Sequence, residues 1–153
     1  MHAVSVGETF AAAQFVKQFM VQNPDTPVII TSTTPTGSEQ VKRIFGERVF
    51  HMYLPYDLPS FINRFIKSIR PGALVIIETE LWPNLLACCD QHDLPVVLAN
   101  ARMSERSARG YGKVPALTRP MLHSLNIVAV QNPTDGQRFI ELGLPTGRLK
   151  VTG

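Results

Sequence analysis

Several features that mark common protein classes are scarce or missing in this chain. It has only two cysteines, Cys88 and Cys89, and they are adjacent. Neighbouring cysteines make a poor disulfide and lack the C-x-x-C spacing of a metal site. Both read as reduced thiols on a buried helix face, which favours a cytosolic compartment. No apolar run approaches the roughly 18 residues that a membrane span needs; the longest, 73–77 and 96–99, are strand-sized. The start of the chain carries no secretory signal. Charged residues are only 18% of the chain against 44% hydrophobic, which argues against disorder. The first candidate strand-to-helix loop holds one glycine, Gly7, where a dinucleotide fingerprint needs three, and no Walker lysine follows. That argues against a simple nicotinamide or P-loop role.

What is present is a regular alternation. The 153 residues suffice for one domain with a real hydrophobic core. Near-continuous apolar strands are expected at 4–6, 28–34, 49–54, 73–77, 94–99, 127–130 and 149–152. Helical patterns fill the gaps: 7–22 with Phe10, Phe15, Phe19 and Met20, then 34–45, a helix ended by Pro71-Gly72, 82–92, a basic region interrupted near Gly112 and Pro115, and 133–142. Asp57 is placed to cap the helix that follows it. Strands spaced by helices in this way mean βαβ units, and strands apolar on both faces mean a buried parallel sheet. The fold expected is a Rossmann-like three-layer α/β/α domain over residues 1–153. Met1 stands before a strand that reads as already under way, and the chain stops where another strand meets Gly153. Both ends read as cut from a longer protein.

In such a fold the chemistry belongs just beyond the strand carboxyl ends. After the first strand come Ser5, Gly7 and Glu8; an acid in a first helical turn complements the helix dipole as readily as it serves as a base. After the second come Thr33, Thr34 and Gly37, whose hydroxyls and amides suit a phosphate or sugar hydroxyls, or form an N-cap box leading to Glu39. After the fourth come Glu78 and Glu80, which could bind metal, pair with sugar hydroxyls or hold nearby cations. After the fifth come Asn100, Arg102 and Ser104, and a guanidinium there would grip a phosphate or carboxylate bidentately.

Arg102 also opens a basic stripe. Arg102, Arg106, Arg109, Lys113 and Arg119 face the single acid Glu105, so this window outweighs the +3 net charge of the whole chain. The stripe is either a solvated face or a site for an anionic partner. Phe61, Ile62, Phe65, Ile66 and Ile69, with Arg64, Lys67 and Arg70, form either an interfacial helix or one packed on the sheet. His2, His51, His92 and His123 are scattered without metal-ligand spacing.

Taken in order, His2-Ala3-Val4-Ser5-Val6-Gly7-Glu8, Thr33-Thr34-Pro35-Thr36-Gly37, Pro55-Tyr56-Asp57, Glu78-Thr79-Glu80-Leu81-Trp82-Pro83-Asn84 and Asn100-Ala101-Arg102-Met103-Ser104, with Ser107 and Tyr111, form a pattern. It resembles the N-terminal domain of the bacterial 3-deoxy-D-manno-octulosonic acid (Kdo) transferases of lipopolysaccharide synthesis, across essentially the whole chain. The resemblance implies the N-terminal half of a GT-B glycosyltransferase, with a membrane anchor upstream and a C-terminal donor domain beyond. It implies transfer of Kdo, with inversion and without metal, from CMP-Kdo to the lipid A precursor, a bisphosphorylated acylated glucosamine disaccharide. No cofactor is implied, and CMP-Kdo would bind mainly the C-terminal domain. The partners implied are the acceptor, the inner-membrane surface at its cytoplasmic face and the chain's own C-terminal domain, with no nucleic acid. Glu8 matches the family's general base. Ser5, Gly7, Thr33, Thr34, Gly37, Glu78, Glu80, Asn100, Arg102 and Ser104 are the acceptor-binding candidates. The missing D-x-D motif, which metal-dependent GT-A transferases use, agrees with a GT-B reading. A flavodoxin-like nucleotide-binding module and a non-catalytic interaction domain are the alternatives.

Overall fold

The computed structural model describes residues 1–152. The backbone forms two compact units, Met1–Pro55 and Tyr56–Gly153.

In the first unit, helix α1 (Val6–Gln22) is followed by strand β1 (Ile29–Ser32), helix α2 (Pro35–Phe45), a short 3-10 turn and strand β2 (Phe50–Tyr53). The two strands are parallel, Ile29 opposite Phe50 and Ser32 opposite Tyr53. The strand expected at 4–6 does not form. His2 makes a single parallel bridge to Thr31, and the chain then turns straight into α1. The reason lies in the Ser5-x-x-Glu8 signature. Ser5 Oγ accepts from the Glu8 amide at 3.3 Å, and Glu8 reaches back to the Val4 amide at 2.7 Å. This arrangement satisfies amide donors at the helix start, and the cap outweighs the strand propensity of Val4 and Val6. α1 buries Ala12, Ala13 and Val16, the last two in one cluster with Ile30, Val41 and Phe45. Phe10 and Phe15, two of the four apolar residues at helical spacing, are exposed, and Phe15 stacks on Phe19 with ring centres 6.4 Å apart.

The second unit runs α3 (Pro59–Ile69), β3 (Leu74–Ile77), α4 (Pro83–Gln91), β4 (Val96–Ala101), α5 (Glu105–Gly112), α6 (Pro115–His123), β5 (Ile127–Val130), α7 (Pro133–Glu141) and β6 (Leu149–Val151). Its sheet follows chain order, β3-β4-β5-β6, and every pairing is parallel. Ile76, Leu98, Val128 and Val130 are fully buried, as a covered parallel sheet requires. α3 buries Ile62 and Ile66 and packs on α4, while Arg64, Lys67 and Arg70 face water. The protein therefore takes up part of the apolar side offered to a membrane. Cys88 and Cys89 are buried; burial raises both thiols, Cys89 to about 12, which suits inert core residues.

Asp57 caps a different helix from the one expected. α3 has Leu58 at its N-cap position and no side-chain cap. The Asp57 carboxylate instead accepts from the amides of Asn84 and Leu85 at 3.1 and 2.8 Å, capping α4. Among the described residues, no helix is long and apolar enough to cross a membrane.

Candidate functional site

The first-unit candidates gather around two helix starts. Glu8 is only 5% exposed, and its Oε2 is held by the Val4 amide at the head of α1. That bond sets the direction of the carboxylate. Ser5 is the N-cap of the same helix, with its Oγ on the Glu8 amide. Gly7 is exposed, and an added Cβ would meet nothing closer than Ser5 Oγ at 3.9 Å. Packing does not explain a glycine there.

Gly37 is the opposite case. An added Cβ would lie 2.9 Å from Thr34 Oγ1 and 3.0 Å from the Val4 carbonyl, so this glycine lets the start of α2 pack closely. Thr34 is the N-cap of α2. Its hydroxyl donates to the Val4 carbonyl at 3.1 Å and accepts from the Gly37 amide at 3.1 Å. The cap thus leads to Gly37, not to Glu39 as the sequence pattern suggested. Thr33 is half-buried beside it.

The second-unit candidates lie at the carboxyl ends of adjacent strands. Glu78 directly follows β3 and has φ 60°; Asn100, inside β4, has φ 55°. Left-handed backbone is ordinary for a residue ending a helix, as at Arg70 (φ 49°). At a strand end it costs about 1–2 kcal/mol for a residue with a Cβ, and such strain clusters at functional sites. The two strained residues are neighbours across the sheet, the Glu78 amide donating to the Ala99 carbonyl at 2.9 Å. The Thr79 hydroxyl ties the two strand ends together, donating to the Arg102 carbonyl and accepting from the Arg102 amide.

Glu80 accepts from Trp82 Nε1 at 3.1 Å. Tyr111 on α5 is raised by burial and then by the negative charge of Glu80, which places the phenol and this carboxylate in one electrostatic environment. Arg102 is exposed, and its guanidinium has no hydrogen-bond partner among the described residues. The loop beneath it is anchored by buried Met103, whose carbonyl accepts from Arg138 at 2.8 Å. Ser104 is the N-cap of α5, bonded to the Ser107 amide at 3.1 Å. Arg106, Arg109, Lys113 and Arg119 are exposed from α5 to α6, and among the described residues only Arg109 of these four is ion-paired, to exposed Glu105 at 3.0 Å.

Sequence reasoning missed Gln131, just after β5, which donates to Asn100 Oδ1. A polar residue following an apolar strand was its only signal. An open groove of about 560 Å³ lies between α4 and α6, lined by Ala87, Leu117, Pro120 and the stripe residue Arg119 among others, and none of the acceptor-binding candidates lines it. Among the described residues no group of three His, Cys, Asp or Glu side chains could hold a metal ion.

Comparison with known proteins identifies the family. The family model for 3-deoxy-D-manno-octulosonic-acid transferase (kdotransferase) matches residues 1–153. The chain is 45% identical to a 3-deoxy-D-manno-octulosonic acid transferase of Haemophilus influenzae, over 100% of this chain and 36% of that protein. A Bordetella pertussis protein of the same name is 36% identical over 98% of this chain and 37% of its own length. The chain therefore spans little more than a third of these relatives. Among solved structures, a UDP-N-acetylglucosamine 2-epimerase from Rickettsia bellii aligns with TM-score 0.63 at 12% identity, covering 97% of this chain and 42% of that one. This likeness is one of fold, a Rossmann-like parallel α/β arrangement as expected for the N-terminal half of a GT-B glycosyltransferase.

Proposed function

Because the chain belongs to the 3-deoxy-D-manno-octulosonic acid transferase family, we propose that it is the acceptor-binding half of a Kdo transferase, with residues 1–153 serving as one functional domain. The donor, CMP-Kdo, binds mainly outside this chain. The acceptor is a bisphosphorylated acylated glucosamine disaccharide, the lipid A precursor, taken from the cytoplasmic face of the inner membrane. The observation that carries this reading is the full-length family match, joined to strained polar residues at the ends of β3 and β4.

In the transfer step an acceptor hydroxyl oxygen bonds to the anomeric carbon of Kdo, the bond from that carbon to the CMP phosphate oxygen breaks with inversion, and CMP leaves. Glu8 takes the hydroxyl proton. The bond to the Val4 amide fixes its carboxylate in advance, which serves a base that must meet one hydroxyl in one geometry. Arg102 grips an acceptor phosphate, the task for which an exposed guanidinium at a strand end is suited. Glu78, Glu80 and Asn100 take sugar hydroxyls. Ser5, Thr34 and Ser104 hold helix starts, and Gly37 permits close packing at the start of α2. Gly7 leaves room for the acceptor beside Glu8.

Calorimetric titration of the chain with a soluble, deacylated bisphosphorylated glucosamine disaccharide tests this. The disaccharide should bind, with affinity falling as salt rises, and Arg102→Ala should weaken it by roughly 10-fold or more, the worth of a charge-assisted hydrogen bond. Undiminished affinity in Arg102→Ala would remove the phosphate role. Heat with CMP and none with the disaccharide would overturn the acceptor assignment.

A further inference from the structure

Asn100 and Gln131 form a contact that the fold alone does not call for. The register of β4 on β5 slips between Leu98 and Ala101, and Asn100 sits inside the slip with left-handed backbone. A bulge of this kind re-aims a side chain. Here the Asn100 amide meets Gln131, the first residue beyond β5, whose Nε2 donates to Asn100 Oδ1. Each side chain then has one group left over: the Asn100 Nδ2 donor and the Gln131 Oε1 acceptor. Neither makes another hydrogen bond among the described residues, and neither is sealed from solvent. Both residues are half-buried. The bond between them fixes which side of each amide is presented.

A donor and an acceptor held side by side match an alcohol, which accepts through its oxygen and donates through its proton. We propose that Asn100 and Gln131 form a binding pair for one uncharged sugar hydroxyl of the acceptor, with Gln131 also positioning Asn100. This rests on the reading of the chain as the acceptor half. It adds Gln131 to the site and separates two kinds of contact: Arg102 takes charge, and the amide pair takes a neutral hydroxyl. Sugar sites gain discrimination from such pairs because a sugar lacking the hydroxyl leaves two amide groups without partners.

The test is an NMR titration of the chain with the deacylated bisphosphorylated disaccharide, following the side-chain amide signals of Asn100 and Gln131. Gln131→Met and Gln131→Glu are compared in calorimetry at high salt, which screens the added charge. Gln131→Met keeps volume and loses the bond. Gln131→Glu keeps a bond, with the Asn100 amide as donor, and turns the Asn100 carbonyl toward the ligand. We expect both side-chain signals to shift in the native chain and both variants to bind roughly 3- to 10-fold more weakly, the worth of one neutral hydrogen bond, with Gln131→Glu melting where the native chain does. A purely structural pair would leave affinity in Gln131→Glu unchanged. Static side-chain signals while the disaccharide saturates other resonances would overturn the pair and leave the acceptor reading intact, whatever the variants' folding. No binding by the native chain would overturn the acceptor reading and this proposal together.

Discussion

Replacing Glu78 by glycine should make the protein more stable than replacing it by alanine, reversing the usual order of these two residues. At ordinary backbone angles glycine is the worse choice by about 0.5–1 kcal/mol, because its unfolded chain is freer. Glu78 has φ 60° at the end of β3, where any residue with a Cβ pays about 1–2 kcal/mol. Alanine keeps that cost and glycine removes it. After subtracting the entropic penalty, Glu78→Gly should exceed Glu78→Ala by about 0.5–1 kcal/mol. For a chain of this size that is a rise of roughly 1–4 °C in thermal midpoint, which scanning calorimetry reads directly. Both variants lose the carboxylate, so both should lose acceptor affinity to a similar degree. The pair separates what the backbone would prefer from what the side chain supplies. Glu78→Gly melting below Glu78→Ala would refute the argument that strain at this strand end is retained for function. Asn100→Gly should gain less than Glu78→Gly, since asparagine tolerates the left-handed region better than most residues.

Other consequences follow from single contacts. Gly37→Ala should lose about 1–3 kcal/mol in urea denaturation, because its Cβ would crowd Thr34 Oγ1 and the Val4 carbonyl, whereas Gly7→Ala should leave stability unchanged or slightly raised and reduce acceptor affinity. Asp57→Ala should cost about 1–2 kcal/mol through the lost cap on α4, visible as faster amide exchange in the first turn of that helix and not of α3. Burial pushes His2 down to about 4. Folded and unfolded chains are both neutral at His2 above about pH 6.5. As pH falls from there to about 4 the unfolded chain takes a proton that the folded one refuses, so up to about 3 kcal/mol of stability is lost across that window. Urea midpoints at pH 7 and 4.5 measure this, and His2→Gln should flatten the difference. Cys88 and Cys89 should resist thiol reagents at neutral pH until the chain is unfolded, since burial raises both.

Much of the fold is readable from local pattern. The runs that became β3 and β5 are apolar without alternation, which is how strands covered on both faces read, and the proline starts of α2, α4 and α7 mark their own boundaries. Where local signals compete, the sequence is less clear. Val4 and Val6 promise a strand, and the Ser5–Glu8 cap withdraws it. Ser5, Thr34 and Ser104 are residue types that serve ligands and helix caps alike, so only geometry shows that their hydroxyls face their own helices. Contacts between distant residues left no local trace. Asp57 caps a helix starting more than two dozen residues later, and Gln131 gains its place from a bulge on another strand. Position after the strands located Glu8 and Arg102 as candidates, and the resemblance gave Glu8 its role; the strain at Glu78 and the amide pair needed coordinates.

The most direct test of the acceptor-half account is an NMR titration mapping the chain's backbone amides against the deacylated bisphosphorylated disaccharide, with CMP as the control. The account predicts shifts around Glu8, Glu80, Asn100 and Arg102 with the disaccharide and none with CMP. Shifts at these residues with CMP, and none with the disaccharide, would contradict it.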